Sequence, residues 1–137
     1  MDKSLIHNMN FDLFLRCLTE ACDMIDETEI LFLDDLERGE CIIGYIPYLK
    51  LKGKTVCFDH PYWVGTGCDI KDGAEFKSAE DLLNAKIYGD RSIFQAWEQV
   101  SVLNLGRISL EDWFNACSFK EDVIKENGIW KLCTFRG

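Results

Sequence analysis

Residues 41–59 read CIIGYIPYLKLKGKTVCFD, and the residue types along this stretch decide the expected fold class. Residues 41–49 are rich in β-branched and aromatic side chains, which strands prefer, and residues 54–59 resemble them. The lysine- and glycine-containing residues 50–53 between them are typical of a turn. We therefore expect two antiparallel strands that form a hairpin, with Pro47 at an edge or a bulge because proline has no N–H for a strand ladder.

Upstream of this hairpin, residues 10–25 predict an N-terminal helix. Their apolar side chains recur every three or four positions, as on one stripe of a helix, namely Phe11, Phe14, Leu15, Leu18, Cys22 and Ile25. Asn10 is a suitable residue to cap the start of this helix. Residues 30–33 predict a buried strand, and a short helix that ends at Gly39 also fits their spacing.

Downstream of the hairpin, four serine-led tetrapeptides have the pattern of a helix start. In each, the serine oxygen can accept a hydrogen bond from the backbone N–H of the residue three positions on, and the side chain of that residue can accept the backbone N–H of the serine. The four tetrapeptides begin at Ser78, Ser92, Ser109 and Ser118. Asn127 and Gly128 would end the fourth helix, because both tolerate left-handed backbone. Residues 129–135 alternate in part and predict a final strand.

These elements predict an α+β fold. We expect a single domain over residues 1–137, with an N-terminal helix, early antiparallel strands and a helix-rich C-terminal half with a final strand. The length of 137 residues is typical of one domain.

The charge balance limits the classes of partner. The chain has 24 acidic and 15 basic residues, and its formal net charge is −9. This balance argues against nucleic-acid binding, which needs a basic footprint, and against binding to an anionic membrane. The N-terminus lacks the basic and apolar regions of a signal peptide, and no apolar run has the length of a membrane helix. We therefore expect a cytoplasmic protein.

Seven cysteines occur in the chain, and none of them forms a C-x-x-C pair. Zinc and redox sites usually show that spacing, so we expect reduced thiols with structural roles, no metal and no cofactor. Cys57 and His60 are close enough in sequence to suggest a nucleophile and its base. In a strand over residues 54–59 their side chains would point to opposite faces, which favours structural roles for both.

The tryptophans divide into two kinds. Trp97 and Trp113 lie at helical spacing on apolar stretches, which indicates core positions. Trp63 follows Tyr62 in a loop-like stretch. An exposed Tyr-Trp pair is a common anchor in protein interfaces, and burial of the pair as a core plug fits the sequence equally well.

Acidic residues are concentrated in residues 20–40, which we call the acidic segment. It holds nine acids and one base, Arg38, for a segment net charge of −8, whereas the rest of the chain holds 15 acids and 14 bases. Such a run often forms only a solvated surface. The alternative is a landing surface for a basic partner, because clustered charge of one sign steers association.

Three stretches carry a resemblance to a known class of proteins. They are PYWVG at residues 61–65, SAEDLLNA at residues 78–85 and SIFQAW at residues 92–97. With them the chain resembles small bacterial immunity proteins, the partners of polymorphic toxins and of contact-dependent growth-inhibition toxins. The resemblance implies a non-enzymatic cytosolic protein that binds a cognate toxin C-terminal domain and blocks it. Many such toxins are nucleases, and the class shares no catalytic or binding motif.

The charge pattern and the resemblance together predict a basic toxin domain as the partner, with no contact to nucleic acid or membrane. The acids would supply steering, and an aromatic side chain would supply an apolar anchor. The expected contact residues are Asp23, Asp26, Glu27, Glu29, Asp34, Asp35, Glu37, Glu40, Tyr62 and Trp63. The alternatives are a small cytosolic enzyme that uses Cys57 or His60, and an adaptor subunit of a larger complex.

Overall fold

The computed structural model of the chain describes residues 5–65 and 74–133. The helices of this part are α1 (Phe11–Glu20), α2 (Ala79–Asn84) and α3 (Leu110–Ala116). Its strands are β1 (Thr28–Phe32), β2 (Glu40–Tyr45), β3 (Tyr48–Leu51), β4 (Lys54–Cys57), β5 (Tyr62–Val64), β6 (Ala74–Phe76), β7 (Val100–Val102), β8 (Val123–Glu126) and β9 (Ile129–Leu132). The expected α+β class with a helix-rich C-terminal half is therefore wrong, because the described part of the chain is a mostly-sheet fold with three short helices and antiparallel sheets.

Five strands form the main sheet, in the order β6-β5-β2-β1-β7, and every neighbouring pair is antiparallel. The buried strand expected at residues 30–33 is confirmed as Thr28–Phe32. The competing helix does not form, because β1 pairs with β2 on one side and with β7 on the other. The acidic segment therefore contributes β1, an interior strand of this sheet, which lies second from one edge.

Side chains alternate between the two faces of the main sheet. The inner face carries residues with no exposed surface, among them Ile30 and Ile43. They belong to one buried cluster with Phe14 and Leu18 of α1 and Leu83 of α2. The hydrophobic core therefore lies between this face and the helices.

The N-terminal helix is shorter than expected. It ends at Glu20, and a 3₁₀ turn over Cys22–Met24 follows it. Asn10 occupies the capping position, but its side chain makes no capping hydrogen bond. The segment before α1 is held by Trp97, whose Nε1 donates to the carbonyl oxygen of Met9 at 2.8 Å.

The expected early hairpin is present, although residues 41–49 do not form one strand. β2 ends at Tyr45. The Ile46 N–H still donates to the carbonyl oxygen of Pro61 at 2.8 Å, but Pro61 and Pro47 have no N–H with which to continue the ladder. Beyond this break, β3 and β4 form a separate two-stranded sheet across a turn at Lys52 and Gly53. We call residues 48–57 the hairpin arm.

A second hairpin occupies the region where a fourth helix was expected. β8 pairs with β9 across Asn127 and Gly128, whose φ angles are 53° and 80°. Positive φ at both central residues is the requirement of the commonest two-residue hairpin turn, which favours Asn-Gly. The left-handed tolerance of this pair therefore closes a hairpin and does not end a helix. The final strand is confirmed over Ile129–Leu132, whereas residues 134–135 lie outside the described residues.

Two of the four serine-led helix starts are confirmed. Ser78 accepts the N–H of Asp81 at the start of α2, and Ser109 accepts the N–H of Asp112 at the start of α3.

No helix in the described part of the chain has both the length and the apolar character needed to cross a bilayer.

The other two serines do not begin α-helices. Ser92 and Gln95 form the reciprocal capping hydrogen bonds, at 2.9 and 3.0 Å, but the chain then enters β7. Its valines, Val100 and Val102, bury their side chains in the sheet, and this burial outweighs the local helix signal. Ser118 precedes only a 3₁₀ turn that leads into β8.

Candidate partner-binding surface

The face of the main sheet opposite the helices is the candidate binding surface, and we call it the outer face. The strand register places on it Glu29, Leu31, Glu40, Ile42, Gly44, Trp63, Glu75 and Ser101. Glu40 and Glu75 are exposed, Glu29, Ile42 and Trp63 are partly exposed, and Leu31, Gly44 and Ser101 are buried. The described strand positions of the outer face thus hold three glutamates and no basic side chain.

The register brings the acidic and apolar side chains of the outer face together. Trp63 is opposite Gly44 on one neighbouring strand and opposite Glu75 on the other. Glu29 is opposite Ile42. Directly opposed Cβ atoms in an antiparallel pair are about 4.5–5.5 Å apart. Carboxylates therefore border the partly exposed indole and isoleucine side chains.

Trp63 is held in place by the absence of a side chain at Gly44. A Cβ at Gly44 would lie 2.7 Å from Cε2 and Cζ2 of the indole and would also clash with the carbonyl oxygen of Asp26. The indole Nε1 is enclosed and has no hydrogen-bond partner among the described residues. An unsatisfied buried donor costs about 1–3 kcal/mol, so Trp63 occupies this position at a cost.

Tyr62 has a different environment from Trp63. It is 7% exposed, and its hydroxyl donates to the carbonyl oxygen of Leu18 at 2.6 Å. Burial raises the pKa of Tyr62 to about 12, because the phenolate would lose its hydration. Of the Tyr-Trp pair, Tyr62 is thus a core residue that ties α1 to the sheet, and only Trp63 reaches the surface.

The acidic segment does not form one cluster. Asp23, Asp26 and Glu27 precede β1, whereas Asp34, Asp35 and Glu37 follow it. The two groups lie beyond opposite ends of β1, whose five residues by themselves span about 13 Å. Glu29 lies within β1, between the two groups, and Glu40 is the first residue of β2. Both are on the outer face.

Two carboxylates of the first acidic group pair with one arginine. Arg107 contacts Asp26 at 3.0 Å and Glu27 at 2.9 Å. Asp23 and Asp26 also line an open cleft of about 330 Å³ whose other walls include Tyr45 and Tyr48. Among the described ion pairs, one cation thus serves this group of three carboxylates, and the group remains negative.

The second acidic group is partly neutralised. Asp34 contacts Arg91 at 2.8 Å and accepts a hydrogen bond from the Tyr88 hydroxyl at 3.3 Å. Burial, and then the charge of Asp34, raise the pKa of Tyr88. Asp35 accepts the backbone N–H of Arg38, which shapes the turn between β1 and β2. Glu37 is exposed in the same turn.

The described cysteines and His60 show no arrangement for nucleophilic catalysis within the part of the chain that the structure describes. Cys57 and His60 are both exposed, and no hydrogen bond between them occurs in the described part of the chain. Of the six described cysteines, Cys17, Cys41 and Cys117 are buried, as structural thiols would be, but Cys57 and Cys133 are exposed. No group of three or more potential metal ligands is found among the described residues.

Sequence reasoning missed two features of this surface. Glu75 lies far from the acidic segment in sequence, and only the pairing of β6 with β5 brings it to Trp63. The exposed apolar side chains of the hairpin arm were also missed. The available signal was the alternation of Leu49 and Leu51 with lysines, which predicts an apolar face on the ribbon.

The outer face has the chemistry to recognise a cationic surface. Carboxylates pair with lysine and arginine, and the face of an indole attracts a cation. A guanidinium over Trp63 would be within reach of the carboxylate of Glu75, the residue directly opposite on β6.

Comparisons with protein-family models, with curated proteins and with solved structures found no match to this chain.

Proposed function

We propose that this chain is an immunity protein that binds a cognate bacterial toxin C-terminal domain and blocks it by covering a basic surface. The observation that carries the proposal is the outer face, where Trp63 and Ile42 are partly exposed among Glu29, Glu40 and Glu75. A basic nuclease site is the complementary surface, because it is built to bind phosphates. The carboxylates would stand in for those phosphates.

The two kinds of residue have separate roles in this proposal. Exposed Glu40 and Glu75 lie at the rim and mainly accelerate association, since rim charges act through long-range steering. Trp63 provides the apolar contact that lengthens the lifetime of the complex, because desolvated aromatic side chains dominate interface energies. The turn acids Asp35 and Glu37 add to the steering field at one end of the sheet.

The unsatisfied Nε1 of Trp63 supports a role beyond packing. Buried donors without partners are rare in folded proteins, and each of them calls for an explanation. A carbonyl or carboxylate of a bound partner would supply the acceptor that this N–H lacks among the described residues. Binding would then recover part of the cost that the free protein bears.

The proposal is tested by expressing the C-terminal domain encoded immediately upstream, alone and together with this chain. We expect growth arrest from the domain alone, relief of the arrest by this chain, and a stable complex that can be purified. Absence of toxicity and absence of a complex would contradict the proposal.

Variants of the chain then test the outer face as the contact surface. Glu40→Lys with Glu75→Lys changes the charge by four units at exposed positions of the outer face. Glu98→Lys with Glu121→Lys makes the same change at exposed positions outside the main sheet. We expect the first pair to slow association at least tenfold at low salt and the second pair to have a much smaller effect.

A third variant addresses the acids of the β1–β2 turn. Asp35→Lys with Glu37→Lys should slow association and leave the dissociation rate nearly unchanged, because these acids contribute steering alone. Unchanged affinity and unchanged salt dependence in all of these charge variants would remove the acidic residues as the contact site.

A further inference from the structure

The hairpin arm is an exposed ribbon with unusual composition for a surface. All eight residues of β3 and β4 are exposed. Four of the chain's exposed large apolar residues lie here: Tyr48, Leu49, Leu51 and Val56, between 42% and 56% exposed. A two-stranded hairpin is at best marginally stable when nothing packs on it. These side chains therefore indicate that another surface covers the arm.

The register of the arm separates its two faces. Leu49 is opposite Val56, and Leu51 is opposite Lys54, so three apolar side chains share one face. Within the described part of the chain, β3 and β4 pair only with each other, which leaves both outer edges of the ribbon unpaired. Unpaired edges and an apolar face are both suited to accept another strand or ribbon.

The charge of the arm is also asymmetric along its length. Lys50, Lys52 and Lys54 surround the turn at its tip, and residues 48–57 contain no acid. The root is acidic: Asp23 lines the cleft beside Tyr48. Asp59 is exposed two residues beyond β4. The arm thus has a basic tip and an acidic root, in a chain that is acidic as a whole.

We propose that the hairpin arms of two copies of this chain pack side by side in antiparallel orientation, with the tip of each at the root of the other. A symmetric dimer requires a surface that complements itself. The arm meets this requirement only in the antiparallel orientation. There the lysines at the tip of each copy meet the aspartates at the root of the other copy, which gives two equivalent contacts. In the parallel orientation the lysines would face each other and repel.

The length of the arm matches this arrangement. Lys52 at the tip and Cys57 at the root are about 13 Å apart within one arm, given the rise per residue of a strand. The antiparallel orientation would bring Lys52 of one copy close to Cys57 of the other. It would also cover Leu49, Leu51 and Val56 in both copies. The contact area is small, so we expect a dimer that forms only at higher protein concentration.

The first test is sedimentation velocity of the whole chain over a wide concentration range. We expect a monomer–dimer equilibrium that Leu51→Glu weakens at least tenfold. Leu36→Glu is the matched control, because Leu36 is 49% exposed and lies in the β1–β2 turn, outside the arm. A monomer at all concentrations, or a dimer with equal loss in both variants, would overturn the proposal.

The second test is a charge exchange between tip and root. Lys52→Glu with Lys54→Glu should weaken self-association, and Asp23→Lys with Asp59→Lys should do the same. A mixture of these two variants should form a heterodimer, because at one of its two tip-to-root contacts the new glutamates meet the new lysines. Failure of the mixture to associate more strongly than either variant alone would overturn the tip-to-root orientation.

The third test locates the contact directly. Lys52→Cys, in a background with Cys133→Ser, is treated with diamide, which oxidises two thiols to a disulfide. We expect a crosslink between residue 52 of one copy and Cys57 of the other, identified by mass spectrometry of the joined peptides. Such a bond within one arm is excluded, since disulfides need Cα atoms within about 7 Å. Exclusive crosslinks between two copies of residue 52 would contradict the antiparallel orientation.

Discussion

Trp63 packs its indole directly against Gly44, the residue opposite it on the neighbouring strand, and this contact leaves no room for a side chain at residue 44. The carbonyl oxygen of Asp26 closes the same space from the loop before β1. The glycine that makes room for the partly exposed tryptophan of the outer face is therefore enclosed on another side by the backbone of the first acidic group.

Gly44→Ala should destabilise the protein by about 1–3 kcal/mol, because the new methyl group overpacks this space. Urea unfolding at neutral pH measures the change. In the Trp63→Ala background the same substitution should remain costly, since the clash with the backbone of Asp26 persists. A neutral effect of Gly44→Ala in that background would show that the ring alone limits the space.

Tyr62→Phe should lower the free energy of unfolding by about 0.5–1.5 kcal/mol at neutral pH, because the hydrogen bond to Leu18 is lost. Burial raises the pKa of Tyr62 to about 12 from its ordinary value of 10. The stabilisation is fully present below pH 10, and it is lost as the pH rises toward 12, because the unfolded state releases its proton first.

Alkaline unfolding measured from pH 9 to 12 tests this linkage. The difference in unfolding free energy between the parent chain and Tyr62→Phe should shrink across that range. Tyr48→Phe is the control, because Tyr48 is 51% exposed and its hydroxyl makes no hydrogen bond among the described residues. A constant difference between the parent and Tyr62→Phe would contradict the predicted dependence.

Arg107→Asn should change stability by less than about 1 kcal/mol, because exposed ion pairs contribute little. Asparagine is chosen because residue 107 has a φ of 71°, which asparagine tolerates well. The substitution leaves Asp26 and Glu27 without their cation. If the outer face captures a basic partner, association should become faster at low salt, as stopped-flow mixing would measure, and slower association would count against that role.

Gly128→Ala should destabilise the β8–β9 hairpin by about 1–2 kcal/mol, because residue 128 has a φ of 80°.

Lys125→Ala tests whether residues 123–126 form a strand or a helix, because the sign of its effect on stability differs between the two. In a helix alanine would stabilise, whereas here it removes the side chain whose Nζ lies 5.2 Å from the ring centre of Trp130. We expect a small loss of stability for Lys125→Ala by thermal unfolding; a gain would contradict the hairpin.

Several elements could be predicted from the sequence because their signals are local. Signals that depend on neighbours within a few positions include the apolar stripe of α1, the serine caps of α2 and α3, and the strand at residues 30–33. The early hairpin was also predictable, since a turn containing Lys52 and Gly53 lies between two strand-like runs.

Other elements could not be predicted because non-local pairing overrides local preference. Ser92 and Gln95 form a complete capping box, yet Val100 and Val102 gain more by joining the main sheet than a helix could provide. The pair Asn127 and Gly128 is compatible with both a helix end and a hairpin turn. The β-branched residues of β8 decide between them once β9 is available as a partner.

The sequence by itself determined the quantity and the sign of the charge, the core tryptophans Trp97 and Trp113, and the existence of an acidic segment. Only the tertiary structure decided how that charge is arranged. Strand β1 passes through the middle of the acidic segment and separates its two ends by the length of a strand. The register of the sheet then groups Glu29, Glu40 and Glu75 with Trp63, because side chains two residues apart share a face and paired strands bring distant residues together.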